Sequence, residues 1–214
     1  MEVLVPYASE EPKTRLAGVL EPDERAAFAR AMLADVLEAV RSAGHQPRVL
    51  ATGAVDVDAP MTVDDRSLSE AVNAQFGAAF DSADAATDRL RTGAVAVVMA
   101  DLALATPAAI DRLCDTQGDV VLAPGRGAGT NAIVTRHPDF RVDYHGTSYL
   151  DHRANAAEVG AESGIVDSFR LATDVDERAD LVEVLVHGDG RSRAFLEQAG
   201  FALETTGGRV TVSR

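Results

Sequence analysis

The chain has 214 residues, 46% hydrophobic and 25% charged, enough for one sizeable core and one domain spanning 1–214. A net charge of −14 argues against a nucleic-acid binder, which needs clustered cations against phosphate, and favours a small ligand. No segment approaches the ~20 apolar residues of a membrane span, and the opening MEVLVPYASEE has no basic region leading into a long apolar run, so no membrane partner and a cytoplasmic location are expected.

The acid excess comes with almost complete replacement of Lys by Arg and no Trp, the pattern of a surface solvated for very salty cytosol, where screening removes most self-repulsion. In such a chain the single lysine, Lys13, is an improbable solubility device. Cys114, also alone, has no partner for an internal disulfide and sits in a helical pattern as a small buried hydrophobe.

EVLVP (2–6) reads as a first strand ending at Pro6, followed by an ordered polar loop, YASEEPKTRLAG. From Pro22 to Ala43 apolar residues recur at helical spacing, with Pro at the start and Gly44 beyond the end, predicting a long amphipathic helix. PRVLA (47–51) and MTVDD (61–65) are short strands, and 67–92 reads as two helices, SLSEAVNAQFGAAF and ADAATDRLRTG. AVAVVMAD (94–101) is an unbroken apolar strand ending in Asp101. The helix TPAAIDRLCD and a second buried strand, DVVLAP (119–124), repeat the unit and run into GRGAGTN. NAIVTR and FRVDY follow as strands, then a helix near 148–162, IVDSF as a strand, LATDVDE as a loop, two helices near 177–199, and a hairpin turning on Gly207 and Gly208. Apolar strands alternating with helices predict an α/β fold of Rossmann-like type, with some antiparallel strands late in the chain.

Ligands in such sheets bind beyond the carboxyl ends of the strands, which puts Asp101 at the expected site edge. Lys13 and Arg15 stand in the loop after the first strand; they read as a phosphate grip of one point charge and one fork, or more blandly as surface cations balancing Glu10 and Glu11. No P-loop motif occurs. Asp174 and Asp176, at i and i+2 of an extended segment, point the same way and suit one hard divalent cation together with Asp101; taken alone, TDVD reads as the cap of the next helix. GRGAGTN is either a plain turn or an amide nest for an anion, with Thr130 and Asn131 as side-chain donors. Gly146, Thr147 and Ser148 precede a helix whose first amides suit a phosphate or carboxylate, Ser148 otherwise being a plain N-cap. His137, His145 and His152 lack a metal-type spacing and are expected at solvent-facing or helix-surface positions.

In order, PKTRL, MADLAL, APGRGAGTNAI, YHGTSYLDH and TDVDERADL resemble the motifs of the 2-phospho-L-lactate guanylyltransferase family, over most of the chain up to about Leu181. The resemblance implies a nucleotide-diphospho-sugar-transferase type of fold, a mixed sheet between helices. It also implies transfer of GMP from GTP to 2-phospho-L-lactate with release of pyrophosphate, on the route to the deazaflavin coenzyme F-420; related lineages take phosphoenolpyruvate or 3-phosphoglycerate as acceptor. Carried over by position, Lys13 and Arg15 hold the GTP triphosphate. Asp101, Asp174 and Asp176 hold Mg²⁺, Thr130, Gly146 and Ser148 grip the acceptor, and Asn73 lies near the base. YHGTS stands where relatives read more like FGPGS, which leaves the acceptor open. No protein nucleophile or base is required for such a transfer. A sugar-phosphate or molybdopterin nucleotidyltransferase, and a GTP-binding regulator without turnover, are the alternatives; the GGxSxRMGxxK-like opening of the former is missing. GTP and the phospho-acid are the expected partners, and a homodimer stays open.

Overall fold

In the computed structural model the structure describes residues 1–10, 12–81 and 93–214; the second helix expected within 67–92 lies outside them. The sequence folds into a seven-stranded mixed sheet between helices and a separate two-stranded ribbon. Strand β1 (Glu2–Tyr7) leads through a 3-10 turn (Thr14–Leu16) into helix α1 (Pro22–Ser42). That helix starts where Glu21 and Glu24 exchange capping bonds ahead of Pro22 and stops at Gly44, in the left-handed region at φ 75°. Then come β2 (Gln46–Ala51), β3 (Met61–Val63), α2 (Leu68–Asp81), β4 (Val95–Val98), α3 (Pro107–Asp115), β5 (Val120–Pro124) and β6 (Thr130–Thr135). The remainder is α4 (Ser148–Glu158), β7 (Ser163–Ile165), α5 (Phe169–Ala172), α6 (Asp180–His187), α7 (Arg191–Gln198) and the hairpin β8 (Ala202–Thr206) and β9 (Arg209–Ser213).

The sheet order is β3-β2-β1-β4-β6-β5-β7. Every neighbouring pair is parallel except those made by β6, which enters between β4 and β5 and runs against both. Alternation along each strand divides the core into two layers. Val3, Val5, Ala96, Val98, Val121 and Ala123 pack against α1, α3 and the C-terminal helices. Leu4, Val95, Val97, Val120 and Leu122 face Val72 and Phe76 of α2 and Ala156 of α4. Cys114 is buried as expected, and burial pushes its thiol up to about 11, well away from reactive thiolate chemistry.

FRVDY is not a strand, contrary to expectation. Phe140 and Val142 are buried, which produces the apolar alternation, but the backbone bonds go to side chains: Val142 to Asn73 Oδ1, Asp143 to His152 and Tyr144 to Ser69. IVDSF contributes only Ile165 to β7, and Phe169 opens α5.

Candidate functional site

The carboxyl ends of β1 and β4 open onto a cleft of about 250 Å³ lined by Tyr7, Lys13, Arg15, Met99, Asp101 and Asp176 among others. Lys13 is built into it by its backbone. At φ 57° and ψ 44° it is a non-glycine residue in the left-handed region, a conformation that needs support from its surroundings. The support is the 3-10 turn it caps, closed by the Leu16 amide on the Lys13 carbonyl at 2.9 Å and anchored by the fully buried Leu16. The reversal sends the Lys13 ammonium inward, where it donates to Asp101 Oδ2 at 2.8 Å and Asp176 Oδ1 at 2.6 Å.

Asp101 sits in the turn after β4. The Val175 amide donates to the Asp101 carbonyl at 3.2 Å, which docks the 173–176 segment against that turn. Val175 is buried between Asp174 and Asp176, so the two acids share the outward side, as i and i+2 residues of an extended segment should. Neither caps the next helix: α6 starts after Ala179, and Asp180 accepts the amides of Asp176 and Glu177. Arg15 is largely exposed, with its guanidinium 3.7 Å from Asp176 Oδ2. Both loop cations thus flank one acid.

The charges are out of balance in a specific way. Burial works to lower the Lys13 pKa, but Asp101 and Asp176 more than reverse it and hold the ammonium charged. Burial raises the Asp101 pKa, Asp176 and Asp174 push it the same way, and Lys13 only partly opposes them. Asp101 Oδ1 is buried and, among the described residues, has no hydrogen-bond partner. An orphaned carboxylate oxygen beside a second acid calls for another cation. Among the described residues no three His, Cys, Asp or Glu side chains converge tightly enough to hold an ion alone. Mg²⁺ usually takes one or two carboxylates and completes its shell with substrate phosphates and water, so these residues fit it.

The glycine-rich loop 125–129 joins β5 to β6 as a hairpin, pinned by the Arg126 amide on the Ala172 carbonyl and by an Arg126–Asp180 ion pair. Of the two expected anion donors at its end, Asn131 is already committed. Asn131 Nδ2 donates to the Leu171 carbonyl at 3.0 Å and to Asp174 Oδ1 at 3.1 Å. Thr130, buried, accepts from His152 instead. The His152 ring Nε2 accepts the Asp143 amide at 2.9 Å, so its single proton is on Nδ1, 2.8 Å from Thr130 Oγ1. Thr130 therefore keeps its own hydroxyl hydrogen to donate elsewhere. Ser148 is the first residue of α4 rather than its N-cap and accepts the Thr130 amide on Oγ at 3.0 Å, which likewise frees its hydrogen.

Expecting His152 on a helix surface was wrong: it is fully buried, and burial depresses its pKa to about 4. His145 is exposed and pairs with Asp143, which raises its pKa. Asn73 is not free to touch a base in this arrangement; its amide accepts from the Val142 N–H at 2.8 Å and donates to the Val142 carbonyl at 3.0 Å. Gly146, at φ 49°, makes the turn into α4. His152 and Asn131 are the residues sequence reasoning missed or miscast. Ser148, His152 and Ala156, four residues apart and all buried, mark the inward stripe of α4 that could have located His152.

The family described as "Guanylyl transferase CofC like" matches residues 1–214. The 2-phospho-L-lactate guanylyltransferase of Halomicrobium mukohataei is 57% identical over 214 residues, covering 100% of both chains. That of Methanoregula boonei is 46% identical over 213 residues, covering 99% of this chain and 94% of its own. Among solved structures, a protein described as a nucleotide-diphospho-sugar transferase from Desulfovibrio desulfuricans G20 superposes with a TM-score of 0.71 at 18% identity, over 93% of this chain and 94% of that one. A nucleotidyl transferase from Methanothermobacter thermautotroptrophicus gives a TM-score of 0.60 at 15% identity, over 92% and 98%. At such identities the structural likeness establishes the fold alone, which agrees with the mixed sheet described above.

Proposed function

Because the chain belongs to the CofC-like guanylyl transferase family, matched from end to end, we propose that it transfers the GMP unit of GTP to 2-phospho-L-lactate. A phosphate oxygen of the acceptor attacks the α-phosphorus of GTP. The bond from that phosphorus to the bridging oxygen of the β-phosphate breaks, pyrophosphate leaves, and a diphosphate links lactate to guanosine. The observation that carries the proposal is the Lys13, Asp101 and Asp176 cluster on the cleft wall, in a chain of this family.

Each residue does simple work. Lys13 and Arg15 bind the triphosphate and neutralise charge as it moves onto pyrophosphate. Asp101, Asp176 and Asp174 would hold Mg²⁺. When bound, the ion screens the phosphates from one another and from the carboxylates and withdraws charge from the α-phosphate. Thr130 and Ser148, each left with a free hydroxyl hydrogen, orient the acceptor's phosphate or carboxylate, with Gly146 shaping the turn beside them. No base is called for, since the second ionisation of a phosphate monoester lies near pH ~6.

No described helix is long and apolar enough to cross a membrane. The acid-rich composition suits a saline setting. The test is pyrophosphate release from GTP and Mg²⁺ with 2-phospholactate, phosphoenolpyruvate or 3-phosphoglycerate. Release only with phospholactate is expected. Silence with all three would refute the transferase, and GTP binding without turnover would favour a regulator.

A further inference from the structure

We infer that Asn131 is a positioning residue for Asp174, and that residue 125 is glycine to let Asn131 hold that post; this rests on the metal role proposed for Asp174. The starting point is a defect in the β5–β6 ladder. Pairing steps from Ala123↔Ala132 to Pro124↔Thr130, leaving Asn131 as an extra residue. Such a bulge re-aims side chains. Strict alternation would send Asn131 to the layer of Ile133, yet it reaches Leu171 and Asp174 in the layer of Ala132, while Thr130 goes to His152.

The chemistry of the pocket around Asn131 selects an amide. It is almost wholly buried, and its two bonds go to a carbonyl oxygen and a carboxylate oxygen. Two acceptors need two hydrogens on one atom, which Nδ2 supplies and a hydroxyl or carboxylate does not. The bond ties down Asp174 Oδ1. Asp174 Oδ2 accepts no hydrogen bond among the described residues and stays available to a cation. Without the amide, Asp174 would lose the donor that keeps it beside Asp101 and Asp176, two acids that repel it.

Gly125 makes room for this arrangement. A Cβ there would lie 2.5 Å from Asn131 Oδ1 and 2.9 Å from both its Cγ and Nδ2, closer than real contacts allow. The backbone of Gly125 is not left-handed, so alanine suits its conformation, and the three atoms nearest the added Cβ all belong to the Asn131 side chain. Gly125 touches no carboxylate, yet it controls one through Asn131.

The experiment compares wild type, Gly125→Ala, Asn131→Ser, the double variant and Asp174→Asn. Mn²⁺ affinity is measured by electron paramagnetic resonance, with a non-hydrolysable GTP analogue bound, and melting temperatures are recorded alongside. Outer partners of metal ligands typically contribute 10–100-fold in affinity. Gly125→Ala and Asn131→Ser should each weaken Mn²⁺ binding about tenfold while leaving metal-free affinity for the analogue unchanged. The double variant should bind no worse than Asn131→Ser, because serine lacks the Oδ1 and Nδ2 atoms that the new methyl strikes and can turn its one γ atom away by rotating χ1. Wild-type Mn²⁺ affinity in Gly125→Ala or Asn131→Ser, with Asp174→Asn impaired, overturns the positioning role. Losses that multiply in the double variant overturn the Gly125 link. Wild-type affinity in Asp174→Asn instead removes the metal role on which the inference rests. If Asn131→Ser fails to fold, Gly125→Ala alone decides.

Discussion

Lys13→Met takes the ammonium out of the cleft and leaves Asp101 and Asp176 facing one another. Both carboxylates lie within hydrogen-bond reach of one nitrogen, 2.8 and 2.6 Å away, so their separation is about 5 Å or less. Two unit charges at that distance repel by about 1 kcal/mol in water-like surroundings and about 3 kcal/mol near a protein surface. Asp176 is 37% exposed, so screening favours the lower figure. For a chain of this size, the lower figure corresponds to a melting temperature lower by roughly 2–4 °C and the higher one to roughly 6–12 °C. The assay is a thermal melt without nucleotide, repeated with Mg²⁺ at constant ionic strength. The wild type, whose lysine already fills the gap, should respond little; the variant should recover at least half of its loss. Acidification should help the variant more than the wild type. A carboxyl whose folded pKa is raised, as at Asp101, costs stability above that pKa and returns it as pH falls toward the unfolded value. Lys13 has the opposite reach: its raised pKa gives stability that is full below ~10.5 and fades as pH rises through the folded value. A variant that melts with the wild type, or a wild type that Mg²⁺ stabilises equally without GTP, would refute the counter-ion role.

Asp101→Asn or Asp176→Asn should reduce pyrophosphate release by at least about a hundredfold, as loss of a preorganised charge contact does, while circular dichroism stays native; full activity in either removes the metal assignment. His152, neutral in the fold with a pKa of about 4, gives stability that is complete above its unfolded pKa near ~6.5 and is lost as pH falls through 4. The difference corresponds to about 3 kcal/mol, and His152→Gln should flatten the denaturant midpoint against pH over that interval; an unchanged slope would refute it. With a net charge of −14, the melting temperature should climb as KCl is raised from low salt toward 1 M, and a flat or falling curve would show that self-repulsion is not the limiting term.

Most of the fold was legible in the sequence because its strongest signals are local. Unbroken apolar runs marked β4 and β5 as buried on both faces, and the 3.6-residue period of Phe28, Met32, Val36 and Val40 marked α1. FRVDY failed because alternation reports burial, not the partner of the backbone: its amides bond to Asn73, Ser69 and His152, residues no local pattern connects. In the site, Lys13 stood out by being alone and Asp101 by ending a buried strand. The TDVD segment could be read two ways, and its docking by the Val175 amide on Asp101 is a long-range fact. Asn131 was miscast for a similar reason, since a bulge shifts the face of a side chain and leaves no mark in composition.

The pair of Lys13 and Asp176 closes across 163 residues. During synthesis the first cation and Asp101 are made well before the second acid, and the cleft has its full charge set only once the segment after α5 has docked on the β4 turn. Contacts of such sequence separation form late, because their chain-closure cost comes before their reward. A growing chain thus lacks the finished Lys13, Asp101 and Asp176 cluster while its core assembles. Once folded, any nucleotide that bridges the two ends stabilises the whole molecule against unfolding, by an amount set by its concentration over its dissociation constant.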